Sequence, residues 1–310
     1  MPLFRHFPLI LLFRGSNLLD SPIEGEYYAI EHVAKTASVS SGDWRNIRFG
    51  MFTAAFDASG HESDQLIMVV AGFVAPADAW IGFSKLWKDR LARDGLEYFR
   101  MEEFKYWRLD DEARRRALLS DLMTLIRAHA SRKFGHVLVI KDLNQALSDE
   151  LKRDWHINAY TLAGMYSVID VDEWAKFTEK ISTSPEYVFE EGDIGQAKLY
   201  QEMTNEGFIA DFRPGKLNRK TPSGNLIQAF VPLQAADFIA GEYFMEEMRR
   251  LTEHSKRPNP RWAFGEFESF MGVIRHSTLE GLRGIQKMFE MCKSLDSRII
   301  SDDTQNEQKR

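Results

Sequence analysis

The sequence predicts a mixed α/β domain in which a central sheet is flanked by helices. Two observations lead to this prediction. Two continuous apolar runs near residue 50 have the pattern of neighbouring strands, and further strand patterns then alternate with amphipathic helices. Strands that come first and then alternate with helices are typical of a mixed sheet in a single domain. With 310 residues the chain is long enough to bury a large core.

The first two elements predict a hairpin at the centre of the sheet. Residues 47–57 are apolar on both alternations, which is typical of a strand buried on both faces. A second apolar run at 65–75 follows after a short polar turn. The later elements, in chain order, are predicted as helices at 78–93 and 110–129, a strand at 133–140, one long helix or two at 157–181, a strand at 187–190, a helix at 195–205, an extended stretch at 226–231, a helix at 232–254 and a C-terminal segment at 264–292 that ends in a helix.

The chain divides into one domain and two ends. Residues 44–293 are predicted to form a single domain with helical insertions, whereas residues 1–43 have no clear period and form an N-terminal extension whose role is left open. The polar residues 294–310 are predicted to be a disordered tail. The apolar run at 7–13 is too short to span a bilayer, and no small-residue cleavage site follows it.

Composition narrows the function classes. The single cysteine, Cys292, excludes an internal disulfide framework and a cysteine-based zinc site. A single cysteine is consistent with a reducing compartment, so we expect a cytoplasmic protein with no membrane partner. An apolar stripe on the last helix (Leu282, Ile285 and Phe289) is interpreted as core, with a homo-oligomer face as the alternative.

Nucleic acid would have to bind through local basic strips, because the formal net charge is −6. Two strips are candidates. One consists of Arg213, Lys216, Arg219 and Lys220, which we predict to bind substrate, and the other consists of Arg249, Arg250, Lys256, Arg257 and Arg261. For either strip taken alone, an ordinary solvated surface is the alternative interpretation.

Two carboxylates stand in otherwise apolar surroundings. Asp57 ends the first strand, where α/β sheets usually place ligands, although an aspartate that starts a turn fits equally well. Asp237 is the sixth residue of a predicted helix that begins at Pro232 and is apolar nearly all round. Helix capping does not reach that far, and a buried carboxylate is costly without a cation or strong donors. A metal ion or a basic partner is therefore predicted at Asp237.

A third acidic group consists of Glu190, Glu191 and Asp193 at the end of a short strand. Glu190 and Glu191 point to opposite faces while the strand holds, and Asp193 could join either. Carboxylates at two strand ends and on a late helix could hold two hard cations, such as Mg²⁺ or Mn²⁺, through oxygen ligands. Two such ions can activate a water molecule and stabilise the leaving oxygen of a phosphodiester.

Four segments resemble a bacterial family named domain of unknown function 3800. Residues 56–60 (FDASG) are similar to its D-E-S-G signature, residues 70–73 (VAGF) to the v-x-G-h stretch after it, and residues 189–193 (FEEGD) to its acidic strand end. Residues 232–240 (PLQAADFIA) are close to its L-Q-x-A-D-x-x-A helix, the most specific of the four. The resemblance covers about residues 49–247.

The resemblance implies a ribonuclease H-like fold and a metal-dependent nuclease with a role in defence against phage or mobile DNA. Carried over by position, it makes Asp57, Glu190 and Asp237 the catalytic metal ligands, with Asp193 as a fourth. Two positions depart from the family pattern. Ala58 stands where relatives usually carry glutamate, and Arg100 stands where we expect many relatives to carry histidine.

The leading hypothesis is therefore a nuclease that cleaves phosphodiester bonds by a two-metal mechanism. The alternative is a ribonuclease H-like binding or assembly module without catalysis, which Ala58, Arg100 and the acidic net charge favour. A third interpretation is a hydrolase of a small phosphorylated metabolite, which a closed, narrow pocket over the acids would support.

Overall fold

The computed structural model describes residues 52–60, 66–104, 112–179, 184–220, 224, 226–252 and 261–307, with side chains up to residue 294. The predicted N-terminal extension at 1–43 and the first part of the predicted strand, at 47–51, lie outside these residues.

Eight strands are present among the described residues, six of them in one sheet. The strands are β1 (Phe52–Ser59), β2 (Ile67–Pro76), β3 (Arg132–Val139), β4 (Glu186–Glu190), β5 (Ile209–Arg213), β6 (Arg219–Lys220), β7 (Leu226–Ile227) and β8 (Gly272–His276). The order in the main sheet is β5-β4-β1-β2-β3-β8, and β6 pairs with β7 apart from it.

Strand β1 lies at the centre of a mixed sheet. It pairs antiparallel with β2 and parallel with β4, so the predicted hairpin and the central position are both confirmed. Strands β3 and β5 extend the sheet on either side, antiparallel to β2 and parallel to β4. Gly72 lies so close to β1 that a Cβ there would meet the Ala55 carbonyl oxygen at 1.8 Å, which explains a glycine inside an apolar strand.

Helices cover both faces of the sheet. They are α1 (Ala77–Arg93), α2 (Met101–Phe104), α3 (Glu112–His129), α4 (Ile140–Ala146), α5 (Asp149–Asp154), α6 (Ala159–Glu173), α7 (Gln196–Asn205), α8 (Pro232–Thr252), α9 (Trp262–Glu268) and α10 (Leu279–Glu307), and α6 continues into a π-helical turn at Trp174–Thr178. One core lies between the sheet and α1, α3, α8 and α9, and the other lies between the sheet and α4, α5, α6 and α10. The predicted fold class, a mixed sheet flanked by helices, is confirmed.

Sequence patterns missed two edge strands. β5 was not predicted, and β8 was hidden inside the C-terminal segment at 264–292. Both strands are short and only partly buried, so neither has the continuous apolar run that marks β1 and β2. The apolar stripe of Leu282, Ile285 and Phe289 packs into the core, as its first interpretation held.

The last helix continues to Glu307, so its backbone is helical over most of the range predicted to be a polar tail. The disorder of residues 294–310 in solution stays a prediction. Within the described part of the chain, no helix combines the length and apolar composition needed to cross a bilayer.

Candidate functional site

The parallel pairing of β1 with β4 brings two carboxylates to one end of the sheet. Phe56 lies opposite Phe189, so Asp57 and Glu190 follow at neighbouring positions on the same face. Ala55 and Val188, two residues earlier, share that face and pack against the start of α8. Asp57 and Glu190 therefore lie on the α8 side of the sheet.

Helix α8 contributes a third carboxylate. Its first twelve residues are buried, as the predicted all-round apolar helix requires, and Asp237 is only 7% exposed. The Asp237 carboxylate accepts a hydrogen bond of 2.5 Å from the backbone N–H of Met101. This backbone donor orients Asp237, and the metal ion or basic partner that the sequence analysis expected there stays a prediction.

The pKa of Asp57 shows that four carboxylates share one electrostatic environment. Asp57 is 3% exposed, and burial raises its pKa well above the usual range, with further increases from the negative charges of Glu190, Asp237 and Asp193. Burial also raises the pKa of Asp237 to about 6, against the lowering effects of the Met101 N–H and the Arg100 charge. A side-chain hydrogen bond with Asp57 also lowers the pKa of Asp237, so the two carboxyl groups lie next to each other and compete for a proton or a cation.

One oxygen of Asp57 lacks a partner among the described residues. Its Oδ1 accepts a hydrogen bond of 2.8 Å from the backbone N–H of Ala58, while Oδ2 is buried with none. A buried carboxylate oxygen without a donor is costly, and a cation would offset that cost.

Arg100 supplies a positive charge to the cluster. Its Nη1 donates to both oxygens of Glu190, at 2.8 and 2.9 Å. Burial works against the guanidinium charge, but Glu190, Asp237 and Asp57 outweigh it and raise the pKa of Arg100. Arg100 is thus an integral part of this site.

Gln234 holds the segments around the cluster in place. Its Oε1 accepts from the indole N–H of Trp87 at 2.9 Å and from the backbone N–H of Phe99 at 2.8 Å. Its Nε2 donates to the carbonyl oxygen of Gly215 at 2.9 Å. One side chain on α8 therefore binds α1, the segment that carries Arg100 and the segment that carries Lys216.

Glu190 and Glu191 have separate environments, which answers a question that the sequence left open. Glu190 joins the cluster, whereas Glu191 forms a two-pronged ion pair with Arg219. Ala58 packs with the core on the opposite face of β1, since the strand continues to Ser59. The expectation that position 58 faces away from position 57 is therefore confirmed.

The predicted substrate-binding strip is largely engaged in ion pairs. Arg213 is 4% exposed and its Nε lies 2.6 Å from Asp211, so it is not placed on the surface. Lys216 lies 2.6 Å from Glu103, and Arg219 pairs with Glu191. Lys220 is exposed. The role of these four residues in binding stays a prediction.

In the second strip, the described arginines are paired with acids on α8, and Lys256 and Arg257 lie outside the described residues.

Sequence reasoning missed Tyr160. It lies in the first turn of α6 and is 2% exposed, and its hydroxyl has no hydrogen-bond partner among the described residues. Burial and the charges of Asp193, Asp57 and Glu190 raise its pKa well above the usual value. Nothing in its sequence context distinguishes it from an ordinary core tyrosine.

The donor chemistry of the cluster fits a divalent cation, because carboxylate oxygens are the ligands that Mg²⁺ and Mn²⁺ prefer. The arrangement is not preformed. Among the residues that the structure describes, no three acidic, histidine or cysteine side chains are already grouped as metal ligands. Glu190 instead accepts from Arg100, and Asp237 accepts from the Met101 N–H.

A cleft of about 850 Å³ opens beside Asp193. It is lined by Asp193, by residues of α7 that include Lys198 and Tyr200, and by Asp211 and Phe212 of β5. Tyr200 is half exposed in this cleft. Asp193 thus belongs both to the carboxylate cluster and to the cleft wall.

Solved structures that are similar to this chain include two ribonucleases. Bst-RNase HIII in complex with Mn²⁺ matches with a TM-score of 0.34 and 12% sequence identity, over 77% of this chain and 72% of that one. Aquifex aeolicus RNase H3 matches with a TM-score of 0.31 and 12% identity, over 76% and 77%. No protein-family model matches the chain, and no curated protein matches it. These overlaps are weak, so the fold class rests on the strand order and packing of this chain.

Proposed function

We propose that this chain is a divalent-cation-dependent phosphodiesterase that hydrolyses nucleic acid. The observation that carries the proposal is the buried Asp57, whose Oδ2 has no partner among the described residues while three other carboxylates lie close enough to raise its pKa. A hard cation is the partner that such a set of oxygens binds best. Asp57, Asp193 and Asp237 would hold it, whereas the two-ion arrangement that the sequence predicts would need Glu190 as well.

The chain's own groups provide orientation at this site. The Met101 N–H fixes Asp237, and Gln234 fixes the segments on either side of it. A divalent ion bound here would supply water activation and would offset the charge of a phosphodiester. The wide cleft beside Asp193, with the exposed ring of Tyr200, favours a polymer over a small metabolite, because bases stack on exposed aromatic rings.

We also propose that the chain belongs to the domain of unknown function 3800 family and shares its inferred role in defence against mobile DNA. Support comes from what the motif residues do. Gly72 permits close packing of β2 on β1, Gln234 binds three segments, and Asp237 joins the carboxylate cluster.

A module without catalysis is the second candidate, and the Arg100–Glu190 pair favours it. A carboxylate engaged by an arginine on both oxygens is a poorer metal ligand than a free one. In this case the same surface would bind nucleic acid or a protein without cutting it.

Cleavage of a panel of single- and double-stranded DNA, RNA and hybrid substrates tests the proposal, with Mn²⁺, Mg²⁺ or EDTA in parallel reactions. Asp237→Asn should lower the rate at least about 100-fold, the scale on which a key electrostatic group acts. Asparagine keeps an oxygen that can accept from the Met101 N–H, so the fold should survive. Asp121→Asn, on the exposed side of α3, is the matched control. Equal cleavage by wild type and Asp237→Asn would show that the activity does not belong to this site.

A further inference from the structure

We propose that the guanidinium of Arg100 stands in for the second cation of the carboxylate cluster, so that the chain binds one divalent ion and not two. The inference rests on the function proposed above. It replaces the predicted two-ion site with an ion held by Asp57, Asp193 and Asp237 beside a fixed Arg100–Glu190 pair.

The contacts of Glu190 are the first argument. Both of its oxygens accept from Arg100 Nη1, and its side chain is only 12% exposed. A second ion that used Glu190 would break two charge-assisted hydrogen bonds and would lie within a few ångströms of the guanidinium charge. Among the described residues no donor of this kind reaches the Oδ2 atom of Asp57, whose carboxyl group neighbours that of Asp237.

The backbone on both sides of Arg100 is the second argument. The Phe99 N–H donates to Gln234, and the Met101 N–H donates to Asp237. Both acceptors belong to α8, which is buried along its first half. The residue between two such anchors cannot move away without breaking them, so Arg100 is held at the cluster.

The charge of Arg100 is the third argument. Its guanidinium is stabilised by Glu190, Asp237 and Asp57 together, and its side chain is 26% exposed. It thus contacts Glu190, lies 4.0 Å from the exposed Glu102, and neutralises part of the charge of Asp237 and Asp57, as a bound cation would. A divalent ion then has only the Asp57, Asp193 and Asp237 side of the cluster available.

Counting bound Mn²⁺ tests the inference without reference to activity. The full chain would be dialysed to equilibrium against MnCl₂, and metal per chain would be measured by elemental analysis. We expect one ion in wild type, none in Asp57→Asn and two in Arg100→Gln, whose pair of ions should also show spin coupling by electron paramagnetic resonance. Arg275→Gln is the matched control, because Arg275 pairs with Asp170 through two contacts far from the cluster, and it should retain one ion.

The outcomes separate the two proposals. Two ions in wild type, together with metal-dependent cleavage, would overturn the inference and leave the proposed function standing. One ion in a folded Arg100→Gln would also overturn it. No ion in wild type, with no cleavage, would overturn the proposed function as well. If Arg100→Gln does not fold, the wild-type count still decides, since two ions contradict the inference in any case.

Discussion

Gln234 connects three parts of the chain through a single amide group that is 4% exposed. Its acceptor oxygen serves Trp87 and Phe99, and its donor nitrogen serves Gly215. Buried polar groups that lose their partners cost roughly 1–3 kcal/mol each. The position is therefore important for stability as well as for the geometry of the site.

Gln234→Leu should lower the free energy of unfolding by about 3 kcal/mol or more, because it leaves two buried donors and one acceptor unpaired. Urea denaturation followed by tryptophan fluorescence measures this change. The control is Gln286→Leu, which removes an exposed hydrogen bond to Ser148 and should cost less than about 1 kcal/mol. Equal costs for the two variants would show that the network around Gln234 carries little energy.

At this scale the sequence predicted the acidic residues but not their partners. Asp57 and Asp237 stand out because a carboxylate in an apolar run has few explanations. Arg100 is 90 positions from Glu190 along the chain, and Tyr160 comes from a helix on the other side of the sheet. Contacts of this kind depend on how the sheet folds, so no local pattern reveals them.

Strand β3 joins the centre of the sheet to its β8 edge, and His136 lies at that junction. Its Nε2 is 2.6 Å from the Ser277 hydroxyl just after β8, and its ring packs at a tilt against Tyr166 of α6, with the ring centroids 4.7 Å apart. Burial lowers the pKa of His136 to about 4, with smaller effects from the nearby His276 and Arg275. The folded chain therefore keeps His136 neutral.

This neutral histidine makes stability depend on pH. The unfolded chain takes up a proton near pH 6.5, whereas the folded chain resists until about pH 4, so stability is full above pH 6.5 and falls as the pH drops towards 4. The loss amounts to roughly 3 kcal/mol. His136→Gln should remove this decrease in the unfolding free energy between pH 6.5 and 4, with exposed His156→Gln as the control. An unchanged pH profile in His136→Gln would contradict the assignment.

The elements that the sequence predicted correctly are those with strong periodic signals. Strands β1 and β2 are apolar throughout, and α8 begins at a proline and continues without a break. Strand β5 is partly exposed at the sheet edge, and β8 is a five-residue strand between two helices. Edge strands gain their conformation from pairing with a neighbour, which is a tertiary effect that propensity does not encode.

The whole molecule is acidic, with a formal net charge of −6, and many of its described cations are neutralised by ion pairs on the surface. Attraction to nucleic acid therefore depends on which of these cations can exchange its carboxylate partner for a phosphate group. The Arg219–Glu191 pair is partly exposed, and Glu191 directly follows Glu190 of the carboxylate cluster in the sequence. A substitution in this pair is therefore a direct way to change the number of cations that are available to a phosphate.

Glu191→Gln should tighten binding to an oligonucleotide, because it frees Arg219 for a phosphate. One additional phosphate contact steepens the slope of log affinity against log salt by about 0.9 for duplex DNA. Fluorescence anisotropy across a salt series in EDTA measures this without cleavage. Glu280→Gln, at an exposed position on α10, changes the net charge equally. The same slope in both variants would mean that overall charge, and not Arg219, is responsible.

The central position of β1 has a consequence for synthesis on the ribosome. Strand β1 can form its hairpin with β2 at once. The other edge of β1 stays unpaired until β4, with Phe189 opposite Phe56, has been synthesised. Until the chain up to Glu190 has emerged, a strand buried on both faces in the finished fold has one apolar edge open to solvent. Such edges promote misassembly during slow folding, so we expect the nascent chain to be most prone to aggregation before β4 has emerged.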